Sequence, residues 1–401
     1  MIERIVKYCD WLVGAFLILF VFWSPISITG TQTAVSFALL FWVIGMLVMR
    51  RFQLMRTPLN IPIAAFLVAA AIGVIMAVDL KHSLKGYMTL GWISIFFLFV
   101  NNVKDVTQFK RLIRILIIIT TIAGAYAIFQ HFTRIDFFGN VKYVQRSFAR
   151  STGFFNSPQT FGNYILLVLP VVFGLSFYSN TRREKRWLQL SGLIILTAII
   201  FSYTRGVWLG LIGGLIFMAI LRSKKLLLLV VTGIIVGSMF LVFLPPSRVT
   251  QRVVGTFKSE RPVGDRIYFW QGSLRIIRDY PITGLGWEGF RIVYPKYKPA
   301  KGRQLVCHAH NNFIDMAVDS GLLGLGIFLW LLVTIYKVGF HIFKELEQGY
   351  FKGIAWGFLG SFTAFLIAGL GQYNFGDSEV VMLFYFLLAM VMVIPRIVKV
   401  K

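Results

Sequence analysis

Residues 205–224 read RGVWLGLIGGLIFMAILRSK, an apolar run from Gly206 to Leu221 closed by Arg205 on one side and by Arg222, Lys224 and Lys225 on the other. An α-helix rises about 1.5 Å per residue, so roughly 20 apolar residues cross a hydrocarbon core of about 30 Å. A stretch with no polar face cannot lie on the surface of a water-soluble domain. Two more apolar windows flank it, 187–203 before and 226–244 after, across links of a few residues. Consecutive windows of this kind need lipid as solvent, where a helix satisfies its backbone groups internally.

The rest of the chain repeats the pattern. Of 401 residues, 57% are hydrophobic and 14% charged, with a mean hydropathy of +0.74; soluble domains carry about 25% charged residues. Windows near 9–28, 33–49, 61–78, 85–101, 112–130, 160–178, 187–203, 206–222, 226–244, 320–338, 352–370 and 379–395 predict an all-α polytopic membrane protein of about twelve transmembrane helices. One membrane domain, 1–401, is expected, without internal repeats. A loop of about 245–312 between the ninth and tenth helices forms an outer cap. Arg4 and Lys7 precede the first window like a signal peptide, but the run is long and no cleavage site follows, so it reads as a retained helix.

Cations set the orientation. Arg50, Arg51 and Arg56, then Lys104, Lys110, Arg111 and Arg114, then Arg182, Arg183, Lys185 and Arg186, then Arg222, Lys224 and Lys225 fall on alternate connections. The positive-inside rule makes that face cytoplasmic, together with both termini. The opposite links are short (Gly30 to Thr33, Tyr203 to Gly206) except for about 131–159 and 245–310. Those two loops hold sixteen Lys and Arg against five Asp and Glu, which suits an anionic ligand as well as lipid headgroups. The net charge of +25 is scattered between apolar blocks, which speaks against nucleic acid. Cys9 and Cys307 fall on opposite sides of the membrane, too far apart for an intramolecular disulfide.

Within the outer segments a few residues stand out. Arg205 sits at a junction too short to carry it into bulk water, and a guanidinium there suits bidentate binding of phosphate. Cys307-His308-Ala309-His310-Asn311-Asn312 ends the large loop just before a helix, where a histidine suits proton removal near neutral pH. No carboxylate or further histidine lies at ligand spacing, so metal ligation is disfavoured and no cofactor is expected. Asn156-Ser157-Pro158 precedes a helix and offers either an N-cap or sugar hydrogen bonds. Residues 266–279 carry Ile267, Trp270, Leu274 and Ile277 on one face, as an amphipathic interfacial helix would, and Pro281 and Gly284 then end it.

Four stretches together resemble the O-antigen ligase and polymerase superfamily of bacterial envelope enzymes. His310-Asn311, nine residues, then Gly321-Leu322-Leu323-Gly324 is similar to its H-[NSQ]-x9-G-x-x-[GTY] pattern at every specified position. Arg205-x3-Leu209 resembles the R-x3-L element of the ligases. Arg150-Ser151-Thr152-Gly153-Phe154-Phe155-Asn156-Ser157-Pro158 looks like R-x-x-G-x-F-x-N-P, with Ser157 standing where proline is common. Arg266 and Trp270, with Pro281-Ile282-Thr283-Gly284-Leu285-Gly286, are a looser match.

The resemblance implies a GT-C-like helical fold in the bacterial inner membrane, with the active site on the periplasmic face. It implies an inverting, metal-independent transfer of a glycan from polyprenyl (undecaprenyl) diphosphate to a hydroxyl of lipid A-core or another glycan acceptor. His310 would be the catalytic base; Arg205, Arg266 and Arg150 would hold the diphosphate; Asn311, Asn156 and His308 would orient substrate. A polysaccharide polymerase would use the same donor chemistry, whereas a transporter or flippase would show related halves and ionisable residues at mid-membrane.

Overall fold

In the computed structural model, residues 2–50, 52, 54–138, 150–243, 260–302, 305 and 308–398 are described, and all regular structure among them is helical. Lys142, Arg146, Arg248, Arg252, Lys258, Arg303 and Cys307 lie outside the described residues, as do the side chains of Arg261 and Asp265.

The helices are α1 (Ile2–Trp23), α2 (Ile28–Met49), α3 (Asn60–Ile75), α4 (Leu80–Thr89), α5 (Ser94–Asn102), α6 (Val106–Thr133), α7 (Pro158–Tyr178), α8 (Arg182–Phe201), α9 (Arg205–Arg222) and α10 (Lys224–Phe243). Then come α11 (Glu260–Asp279), α12 (Phe290–Tyr297), α13 (Asn312–Glu345), α14 (Tyr350–Ala368) and α15 (Ser378–Ile397). Each of the twelve apolar windows coincides with a helix or, for 85–101, with α4 and α5 joined by a 3₁₀ turn at Leu90–Ile93. Nine helical stretches among the described residues are long and apolar enough to cross a membrane. The protein is therefore a polytopic membrane protein. The apolar α3 is shorter, and α8 opens on the charged sequence RREKR.

Some boundaries differ from the sequence expectation. Gly30 to Thr33 is not a link but the first turn of α2, because the Ser27 hydroxyl accepts from the Gly30 amide and caps the helix there. The link is Ser24–Ser27, with Pro25 in it. Arg205 likewise begins α9 instead of lying in the connection, which is Ser202–Thr204. The helix expected from residue 320 starts at Asn312, and a break inside it falls at Gly321.

Small residues let three helices approach at backbone distance. A Cβ on Gly214 of α9 would lie 2.6 Å from the Gly360 carbonyl oxygen of α14, and one on Gly353 of α14 would lie 2.7 Å from that of Gly174 in α7. In lipid, where apolar side chains gain little by leaving the solvent, such close packing is a main source of helix association.

The break in α13 ties the bundle to the cap. Gly321 has φ 68 and ψ −175, backbone that only glycine adopts readily. The break frees peptide groups that would otherwise pair within the helix, and the turn Pro281–Gly286 takes them up. Leu285 N donates to Val318 O at 2.8 Å, Gly286 N to Asp319 O at 3.0 Å, and Leu322 N to Pro281 O at 2.8 Å. A Cβ on Gly321 would overlap the Ile282 carbonyl. Gly321→Ala is expected to lose about 1–3 kcal/mol to backbone strain alone, and more through the undocked turn. The check is the melting temperature and monodispersity of the purified variant in detergent.

The cap packs its own small core of Phe269, Ile276, Leu285, Phe290, Val293, Tyr294, Ala309 and Val318. This corrects the expected face of α11. Phe269, Ser273 and Ile276 are buried, with Trp270 and Ile277 packed beside them, while Ile267 is 45% and Leu274 61% exposed. The cap supplies its own apolar surface, so the helix has two apolar sides, and hydrophobicity in the sequence does not tell them apart.

Candidate active site

One end of the bundle gathers the N-termini of α7, α9, α13 and α15 and the C-termini of α6, α8 and α14, and polar side chains lace these ends together. The Thr160 hydroxyl donates to Asp377 at 2.7 Å, Asn163 bonds Gln372, and the Thr204 hydroxyl reaches Pro158 O at 3.2 Å. Asn312 N donates to Gly369 O at 2.8 Å, and the Asn312 side-chain oxygen accepts from Asn374 N at 2.7 Å.

His310 is set on this frame with φ 56, the left-handed region that non-glycine residues rarely occupy. Its neighbours on both sides are pinned. A single carboxylate, Asp315, accepts from Ala309 N at 2.5 Å and from Asn311 N at 3.1 Å. Trp270 Nε1 donates to Ala309 O at 3.1 Å, tying the loop to α11. Asn311 caps α13 through the amides of Phe313 and Ile314, and its own amide group donates to Leu370 O at 3.0 Å. Strain held by so many contacts is typical of functional positions.

Arg266, His308 and His310 are brought together, with Arg205 beside them. The His308 and His310 rings are 4.2 Å apart, centroid to centroid, and His310 N donates to His308 Nδ1 at 3.2 Å. Burial, then the neighbouring His308, then the Arg266 charge push the His310 pKa down from 6.5 to about 4, so the imidazole is neutral at physiological pH. Burial alone brings His308 to about 4. Arg266 is itself held below its ordinary value, by burial and then by the Arg205 charge. Among the described residues neither Arg205 nor Arg266 forms a salt bridge. Two guanidinium groups close enough to repel, neither of them ion-paired among the described residues, form a ready anion site.

Arg150 lies against the same junction but is already engaged: its Nε donates to Ser202 O and its Nη2 to the Thr204 hydroxyl, both at 3.1 Å. It braces the turn that presents Arg205. Asn156 is not brought in; it is exposed, and the cap of α7 is Ser157, whose hydroxyl accepts from Gln159 N at 3.1 Å.

Two cavities flank the histidine loop. One, of about 470 Å³, is lined by His308, His310, Asn163, Gln372 and Asp377 among others. The second, of about 650 Å³, has His308, Trp287, Glu288, Asp315, Asp319 and Tyr373 in its wall. Sequence reasoning missed Asp315 and Asp319. The two acids sit five and nine positions after His310, on the face of α13 that turns back to the loop. Two acids four residues apart, just ahead of the apolar window that begins at 320, were the available signal.

With this geometry in hand, comparison with known proteins is informative. Residues 190–329 match the family model described as O-Antigen ligase. That span opens in α8 and closes in α13, so it contains Arg205, Arg266, His308, His310 and Asn311, while Arg150 and Asn156 precede it. A Rickettsia conorii protein named "Putative polysaccharide ligase" is 26% identical over 200 residues, 48% of this chain and 47% of that one. The "Exopolysaccharide production protein ExoQ" of Rhizobium meliloti is 24% identical over 136 residues, 32% of this chain and 31% of that protein. An uncharacterized Haemophilus influenzae protein is 27% identical over 204 residues, 45% and 50% of the two chains. The match thus spans about half or less of the length of these relatives. The chain is a polytopic membrane protein, and its residues 190–329 are similar to the O-Antigen ligase family.

Proposed function

We propose that the protein transfers a glycan from a polyprenyl diphosphate to an acceptor hydroxyl, such as one on lipid A-core, at the periplasmic face of a bacterial inner membrane. The chain would cross the membrane about twelve times in a GT-C-like arrangement, with both ends cytoplasmic. The carrying observation is the neutral, conformationally pinned His310 beside Arg266 and Arg205, two cations that form no salt bridge among the described residues.

The chemistry is a single displacement. The acceptor hydroxyl gives its proton to His310 as its oxygen bonds to the anomeric carbon. The bond from that carbon to the diphosphate oxygen breaks on the opposite face, which inverts the centre, and the lipid diphosphate leaves with the electron pair. Arg205 and Arg266 neutralise the charge that develops on it, so neither a general acid nor a metal ion is called for. The first turn of α9 adds to this, because Thr204 makes no side-chain cap bond and leaves the positive helix end toward an anion. Asn311 and His308 hold His310 in place, and the two cavities beside the loop offer room for sugars.

A polymerase using the same donor is the second reading, favoured by the likeness to an exopolysaccharide production protein. Reconstitution in proteoliposomes with a polyprenyl-diphosphate glycan and a lipid A-core acceptor tests both. Acceptor labelling that survives a chelator supports the ligase; longer carrier-linked chains mean a polymerase. A transporter would instead move the donor across without new bonds.

Two further outcomes are expected. The kcat/KM profile should stay flat from neutral pH to about 5 and fall below about 4, because only neutral His310 accepts a proton and its folded-state pKa lies near 4. Bound diphosphate offsets the Arg266 charge and raises the histidine, so the acid limb of kcat should lie at higher pH than that of kcat/KM. A limb near 6.5 in kcat/KM would contradict the assignment. Asp315→Ala should cut transfer about a hundredfold by letting His310 move. Asp315→Asn, which keeps an acceptor oxygen for one of the two amides, should fall between it and wild type.

A further inference from the structure

At the opposite end of the bundle, α6, the last turn of α7, the first turn of α8 and the start of α14 enclose a cavity of about 810 Å³ that shares no residue with the site above. Lys110 and Arg114 reach it from one face of α6, a single turn apart, and Arg183 from α8. Among the described residues none of the three forms a salt bridge. Glu184, the acid in the wall, accepts from the Ser179 hydroxyl at 3.1 Å. Lys110 lies over a ring, with its Nζ 5.1 Å from the Tyr350 centroid. Like charges one turn apart repel, so this cluster lacks its complement.

The surface of α6 says what kind of anion. Lys110, Arg114, Ile118 and Ile122 follow one another at four-residue spacing, so they form one stripe. Its first half is cationic, whereas Ile118 is 39% and Ile122 51% exposed. Trp187 stands at the rim, 36% exposed, as aromatics do at headgroup depth. Cations followed by an exposed apolar track fit a headgroup followed by an acyl chain, whereas a free phosphate would use only the first half.

We propose that this cavity binds an anionic phospholipid, with its phosphate among Lys110, Arg114 and Arg183 and a chain along Ile118 and Ile122. The site is separate from glycan transfer, and its test does not depend on that activity. The purified full-length protein in detergent is offered equal phosphatidylglycerol and phosphatidylcholine and examined by native mass spectrometry. One phosphatidylglycerol should be retained in clear preference. Removing both α6 cations (Lys110→Ala with Arg114→Ala) should lower its affinity about twenty-fold, at roughly fivefold per cation. Arg183→Ala should lower it about fivefold. Equal retention of the two lipids, or unchanged retention in both variants, overturns the proposal. Displacement of the lipid by millimolar inorganic phosphate overturns it too, in favour of a free-phosphate site.

Discussion

His310→Asn is expected to abolish glycan transfer, by about a hundredfold to ten-thousandfold for loss of a general base, while leaving the fold intact. Asparagine is the informative replacement because it tolerates the left-handed backbone that residue 310 adopts at φ 56. The loop held by Asp315, Trp270 and Asn311 then stays as it is. His310→Gly sharpens the test. Glycine takes a positive φ without strain, so this variant should melt no lower than wild type and yet be inactive. Loss of transfer at equal or higher thermal stability separates catalysis from structure. Retention of transfer in both variants would remove His310 from the mechanism. His308→Ala should lose less, since His308 acts on His310 only indirectly, through ring packing, charge and a hydrogen bond from the His310 backbone.

The second large effect is on the leaving group. Arg266→Ala and Arg205→Ala should each lower kcat by about a hundredfold to a thousandfold, the range for removing one donor aimed at developing charge. Lysine at either position should restore only part of it, because an ammonium cannot grip a diphosphate bidentately. The same residues predict a stability signature. Arg205 and Arg266 repel one another in the empty site, so inorganic pyrophosphate should raise the melting temperature of the wild type through ligand linkage. Arg266→Ala should raise the melting temperature without ligand and abolish the response to pyrophosphate. An unaltered pyrophosphate response in both arginine variants would place the anion elsewhere. Arg150→Ala should instead behave as a structural change, because its guanidinium is bonded to Ser202 and Thr204.

Much of this was legible in the amino-acid sequence. The helical membrane class, the position of every apolar window and the junctional Arg205 follow from hydrophobicity, which in lipid is a local property. The spacing from His310 to Gly321 was also visible, and its physical meaning is now plain: it is the length of the short helical piece between the pinned histidine and the break where Pro281–Gly286 docks. Non-local matters were not legible. Nothing near Asp315 in the chain says that its carboxylate folds back onto the amides of Ala309 and Asn311. Nothing near Arg150 says that two of its donors bond a turn some fifty residues on. The buried side of α11 depended on a cap core that exists only once Leu285, Phe290 and Tyr294 arrive beside it. Partition into lipid is decided residue by residue and survives in any arrangement of the helices. Hydrogen bonds, charge proximity and the choice between two apolar faces exist only between segments that the folded bundle brings within a few ångströms.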